Sequence, residues 1–141
     1  MTQTVTVTRR FTVSPERVFD AFLDPAIAGR FMFATAGGEM VRVDIEPRVG
    51  GAYTFVDRRD GQDIEHVGRI LELDRPRRLV FEFAVPKYDP RFTTVRLEIA
   101  ADGDGAALTL THEGVDDQYR DQTGQGWTMI LEAAAAALSR G

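Results

Sequence analysis

The chain has 141 residues, a formal net charge of -5, 43% hydrophobic residues and no cysteine. A chain of this length can bury a core as a single domain, residues 1–141, without disulfides or metal, and thiolate or cysteine-metal chemistry is excluded outright. The acidic balance argues against nucleic-acid or anionic-membrane partners, and no apolar run reaches the ~20 residues of a membrane span.

The N-terminal residues carry no charged block followed by an apolar one, so a cytoplasmic protein is expected. From Thr2 to Val13 the chain alternates, with Val5, Val7, Phe11 and Val13 on one parity, which predicts a strand. Arg9 interrupts that parity and suits an edge position. Ser14-Pro15-Glu16 is a helix start: a serine acceptor, a proline at the first helical position and an acid near the positive helix end. Asp24-Pro25 repeats the signal, predicting a second short helix over residues 26–31 that Thr35-Ala36-Gly37-Gly38 closes.

Strands then follow at residues 39–46, 52–57, 64–73, 78–85, 92–100 and 106–112, each alternating. Asp60-Gly61 and Asp102-Gly103-Asp104-Gly105 are hairpin turns, and Arg75-Pro76 turns the chain between them. Gly68 sits inside a strand, where glycine often marks a bulge or bend; a bulge there would exchange inward and outward residues, leaving the facing of His66 open. At the C-terminus the period changes. Trp127, Ile130, Leu131, Ala134, Ala135 and Leu138 repeat at helical spacing and predict an amphipathic helix from about Thr123.

Hairpin-connected strands and one long amphipathic helix predict an α+β fold: a curved antiparallel sheet of six or seven strands wrapped on the C-terminal helix. A wedge-shaped space between sheet and helix suits a small molecule. On the inward parities the aromatic residues Phe31, Phe33, Tyr53, Phe55, Phe81, Phe83 and Trp127 form a candidate cavity lining, joined by His66, Val95, Leu97 and Ile130. The competing reading of this set is a filled core.

Gly50-Gly51 precedes a strand rather than a helix and reads as a turn, not a phosphate loop. His66 and His112 lie in separate strands without a helical metal partner, so no metal site is expected. Either could act as a general base inside a cavity, or serve as a hydrogen-bonded structural residue. Arg58-Arg59 and Arg75, Arg77, Arg78 fall at turns and read as solvated hairpin ends. No catalytic residue and no cofactor are assigned.

Several landmarks, in order, carry a resemblance. They are Arg10-Phe11, Ser14-Pro15-Glu16-Arg17-Val18-Phe19, Asp24-Pro25, and Pro47-Arg48-Val49-Gly50-Gly51-Ala52-Tyr53. They continue through Gly68-Arg69-Ile70-Leu71-Glu72-Leu73, Pro76, Arg78-Leu79, Leu108-Thr109-Leu110-Thr111-His112 and Gly126-Trp127. Together they resemble the homologues of the heat-shock-protein-90 ATPase activator, within the SRPBCC or START-like superfamily. The resemblance implies the helix-grip fold and a cavity for a small hydrophobic ligand. It also raises a chaperone partner, or a cyclase, aromatase or hydrolase activity of the kind found in the wider superfamily. A homodimer is a further expectation. Relatives often carry tryptophan where this chain has Phe19 and near Phe31, and many carry histidine where it has Gln122-Thr123-Gly124-Gln125, so ligand preference does not transfer.

Overall fold

The computed structural model describes residues 2–33 and 37–139. Thr35 and Ala36, expected to close the second helix, lie outside the described residues. The elements are β1 (Thr2–Phe11), α1 (Pro15–Ala21), α2 (Pro25–Ala28), β2 (Glu39–Ile45), β3 (Tyr53–Arg59), β4 (Gln62–Asp74), β5 (Arg78–Val85), β6 (Asp89–Asp102) and β7 (Gly105–Asp116). A 3-10 turn (Asp117–Tyr119) then leads into α3 (Arg120–Ser139). The strands form one seven-stranded sheet in the order β1-β7-β6-β5-β4-β3-β2, antiparallel throughout. This is the helix-grip architecture. β1 lies at an edge, which is why Arg9, on the parity of Val5 and Phe11, can remain exposed.

Local chemistry starts and stops these elements as read from sequence. The Ser14 hydroxyl accepts from the Arg17 N–H at 3.3 Å, and the Asp24 carboxylate accepts from the Ala26 N–H at 3.0 Å. Each cap is followed by proline, whose missing N–H costs nothing at a helix start. Asp60 and Gly61 take φ of 51° and 78°, the left-handed pair that a two-residue hairpin with right-handed strand twist requires.

Gly68 is not bulged. It pairs directly with Phe83, and a Cβ there would meet the carbonyl oxygens of Glu82 and Tyr53, each at 2.6 Å. Glycine is required by close backbone approach, not by a bend. The register shift in this pair of strands falls between Ile70 and Glu72, leaving Leu71 39% exposed. Inward parity is therefore kept through His66, and its side chain is buried.

The core fills the inner face of the sheet against α1, α2 and α3. Phe22 meets Phe31 edge-on at 5.1 Å, and Tyr53 packs on Phe55 and Phe81 at 5.1 and 4.6 Å. The Tyr53 hydroxyl donates to the Phe22 carbonyl at 2.8 Å, tying β3 to the end of α1. Burial drives the Tyr53 hydroxyl far above its ordinary pKa, so it stays a neutral donor. α3 starts one turn earlier than its apolar stripe announces and buries Trp127, Leu131, Ala134 and Leu138. Ile130 and Ala135, expected on the same stripe, are only partly buried against the core, because the helix rests on the Leu131–Ala134 line.

Two outcomes follow from this packing. Leu131→Ala should cost about 2–5 kcal/mol by leaving a cavity in a closed site, while Ile130→Ala should cost well under half of that; urea denaturation of both variants measures the contrast. Gly126 lies in α3 with no atom within 4 Å of where a Cβ would stand. Gly126→Ala should therefore raise stability by about 0.5–1 kcal/mol, seen as a higher denaturation midpoint with an unchanged slope.

Candidate ligand-binding cleft

The packed core ends at Phe83. Beyond it, toward the β5–β6 hairpin, sheet and helix part, and a cleft of about 590 Å³ opens. That is within the size range of small-molecule sites. Phe83, Ala84, Val85 and Val115 supply apolar wall; His66, Thr93 and His112 supply polar groups; α3 contributes Gln122 and Thr123. Tyr88 and Tyr119 stand at the opening, 68% and 49% exposed.

The polar end of the cleft is ordered by one hydrogen-bond chain. The buried indole N–H of Trp127 donates to Nδ1 of His112 at 2.9 Å. Indole nitrogen can only donate, so Nδ1 is an acceptor and the neutral ring carries its proton on Nε2. Nε2 lies 2.7 Å from the Thr93 hydroxyl oxygen and donates to it. The hydroxyl keeps its own proton, and among the described residues no acceptor takes it. Burial lowers the pKa of His112 to about 4, which holds the ring neutral.

His66 is built differently. Its ring stacks on Phe33 at 4.3 Å with 16° between planes. Its buried Nδ1 has no hydrogen-bond partner. Burial first, and then the nearby Arg59 charge, lower its pKa to about 4; the backbone of Phe55 and Ile64 and the Asp57 charge offset only part of this. Phe33 reaches the histidine from a left-handed backbone, φ 57°, a costly conformation for a phenylalanine. From there its ring also touches Phe55, Phe83 and Trp127, at 5.5, 4.9 and 5.7 Å.

The cationic groups at the cleft are already engaged. Arg59 pairs with the buried Asp57 at 2.5 Å and donates to the Phe33 carbonyl at 3.4 Å. Arg91 donates to both oxygens of Asp89, to Oδ1 at 3.2 Å and to Oδ2 at 2.8 Å, and lies 4.0 Å from Asp116. The cleft thus offers apolar walls, two neutral histidines and the Thr93 hydroxyl at the end of the Trp127–His112 chain, besides the hydroxyls of Thr123, Tyr88 and Tyr119. Among the described residues no group of three or more acids and histidines is placed to hold a metal ion.

Of the residues read from sequence as a cavity lining, His66 and Phe83 face the cleft. Phe33 and Trp127 stand directly behind it, in ring contact with Phe83. Phe31, Tyr53, Phe55, Phe81, Val95 and Leu97 are packed in the core, at most 1% exposed, and Ile130 lies on the partly buried flank of α3. Sequence reading missed Thr93, and it weighed His112 as a general base or a hydrogen-bonded structural residue, not as part of the lining. Both continue inward parities that were visible: Thr93 precedes Val95, Leu97 and Ile99 by two, and His112 follows Leu108 and Leu110 by two. A polar residue extending an apolar parity was the available signal.

The family described as "Activator of Hsp90 ATPase homolog 1-like protein" matches residues 12–139, and the chain belongs to it. Among solved structures, protein CV1439 from Chromobacterium violaceum is 28% identical over 94% of each chain, with a TM-score of 0.86. Mll3558 from Rhizobium loti is 28% identical over 97% of each chain, with a TM-score of 0.73. CalU16 from Micromonospora echinospora is 25% identical, covering 98% of this chain and 77% of its own, with a TM-score of 0.74. No curated protein matches the chain significantly. No helix among the described residues is long and apolar enough to cross a membrane.

Both histidines are neutral in the folded protein, with pKa values lowered from 6.5 to about 4. The unfolded chain therefore takes up protons first. Stability is full above the unfolded value, is lost as pH falls below it, and stops falling near the folded value. Denaturation midpoints should accordingly drop between pH 7 and pH 5, a window above the carboxylate titrations. His66→Phe keeps a flat ring against Phe33 and should remove about half of that drop. An unchanged pH slope in the variant would reject this assignment.

Proposed function

We propose that the protein is a non-enzymatic binding module that holds a small hydrophobic or aromatic molecule in the cleft between sheet and C-terminal helix, in a cytoplasmic setting. The observation that carries this reading is an apolar cleft of about 590 Å³ at the end of an otherwise filled core. Family membership supports the fold in which such a space is built. The polar groups favour holding over chemistry. His112 already carries its proton on the nitrogen facing Thr93, so it cannot accept the Thr93 proton and activate that hydroxyl as a nucleophile.

Trp127 is the single tryptophan and lies against Phe83, a wall of the cleft. Titration with small neutral aromatics should change its emission saturably, with dissociation constants in the micromolar range, about -8 kcal/mol. The same ligands should raise the melting temperature, since binding to the folded state alone stabilises it. Val85→Phe, which fills the cleft from the end of β5, should abolish the response with the fold retained. A panel of apolar compounds giving neither an emission change nor thermal stabilisation would reject the reading. A rise in heat-shock-protein ATPase rate on adding the protein, without any ligand response, would replace it by one of protein–protein contact.

A further inference from the structure

The hydrogen-bond chain at the polar end of the cleft has a fixed direction, and that direction says what a ligand must bring. Trp127 can only donate, so His112 accepts at Nδ1 and donates at Nε2. Thr93 receives that bond and has one proton left to give. Its side chain lines the cleft, opposite Phe83 in the β5–β6 ladder. The Thr93 oxygen keeps a second lone pair, which an oxygen already accepting one bond tolerates, whereas a hydroxyl proton without an acceptor is costly; a ligand group with a lone pair completes the chain.

The charges around the cleft narrow the class further. Arg91 is held by both oxygens of Asp89, and Arg59 by Asp57. Asp89 and Asp116 line the cleft beside Arg91, so an anionic ligand would compete with two carboxylates for that guanidinium and be repelled by both. Phe83, Tyr88 and Tyr119 line the cleft and give it aromatic walls suited to a flat apolar molecule.

We propose that the cleft selects neutral, flat, apolar molecules bearing a carbonyl-type hydrogen-bond acceptor, anchored by the Thr93 hydroxyl at the end of the Trp127–His112 chain. This rests on the reading of the cleft as a ligand site and names its ligand class. The bond sits at a half-buried end, where a matched acceptor discriminates against an analogue lacking it more strongly than an added methylene would.

The test uses the full chain and a matched pair of probes: propiophenone, and propylbenzene, in which the carbonyl is replaced by a methylene. Binding is followed by the indole N–H resonance of Trp127, which is unique because the chain has one tryptophan. Propiophenone should bind about tenfold tighter than propylbenzene and shift the indole N–H, because an acceptor at Thr93 polarises the whole chain. In Thr93→Val the two probes should bind equally and the carbonyl-dependent shift should vanish. Thr93→Ser, which keeps the hydroxyl, should retain both. The comparison is a ratio within each variant, so a general loss of stability does not imitate it. Equal binding of the two probes to the wild-type protein would overturn the inference while leaving the cleft as an apolar ligand site. Tighter binding of phenylpropanoate than of propiophenone would overturn it in favour of an arginine anchor. Failure of every probe to bind would overturn the inference together with the ligand-binding reading.

Discussion

One hydrogen bond, from the Trp127 indole to His112, stands at the boundary between what this fold fills and what it leaves open. Trp127 is 3% exposed, and a buried indole N–H without an acceptor would cost on the order of 1–3 kcal/mol. The acceptor is a histidine nitrogen on β7, so the bond fixes how α3 lies on the sheet at this end. It also fixes the tautomer of His112, and through it the role of Thr93 on the neighbouring strand. A stability requirement of the helix and the hydrogen-bond direction at the polar end of the cleft thus come from the same contact.

The rest of the wedge is closed by aromatic rings rather than by branched aliphatics alone. α1 and α2 insert Phe22 and Phe31 over one end of the sheet, where Tyr53 and Phe81 meet them from below. Toward the other end Phe33 is the last ring contributed from the helical side, and its left-handed backbone carries it onto His66. Among the described residues none of α1 or α2 lines the cleft, whereas both strands of the β5–β6 hairpin do. The cleft is a consequence of unequal lengths: long strands β6 and β7 against two short helices. The many arginine–carboxylate pairs on the outer surface contribute little individually, since most of them are solvated. Asp57 with Arg59 is the exception, a buried carboxylate beside the cleft.

Most of the fold was legible because its signals are local. Proline after a capping side chain announced both short helices, and Asp60-Gly61 announced a hairpin whose left-handed pair of residues the structure contains. Strand parity was legible for β5, where Leu79, Phe81 and Phe83 are all inward. What escaped was non-local. Gly68 looks like a bend in sequence, but it is demanded by two carbonyls, one from each neighbouring strand. The actual register shift, at Leu71, has no residue signature. α3 begins at Arg120 although Gly124 and Gly126 weaken its first turns, because the 3-10 turn capped by Asp116 leads into it. The inward aromatic set was read correctly as inward, yet parity cannot say which inward residues meet a helix and which meet a space. That depends on the reach of α1 and α2, a tertiary quantity.

The division between core and cleft also separates two kinds of constraint on the sequence. Residues under the helices, such as Tyr53, Phe81 and Leu97, are set by volume, and a change there is paid in stability throughout the domain. Residues at the open end answer to different rules. His66 is 6% exposed with its Nδ1 unpartnered, and a leucine or phenylalanine in its place would pack without that penalty. Phe33 accepts a left-handed backbone to cover it. Two locally unfavourable choices in contact with one another, both at the edge of the same space, have no account in packing alone. Departures of this sort concentrate where a structure is shaped to meet something other than itself. Here they coincide with the end of the sheet facing α3, where the core stops and the cleft begins.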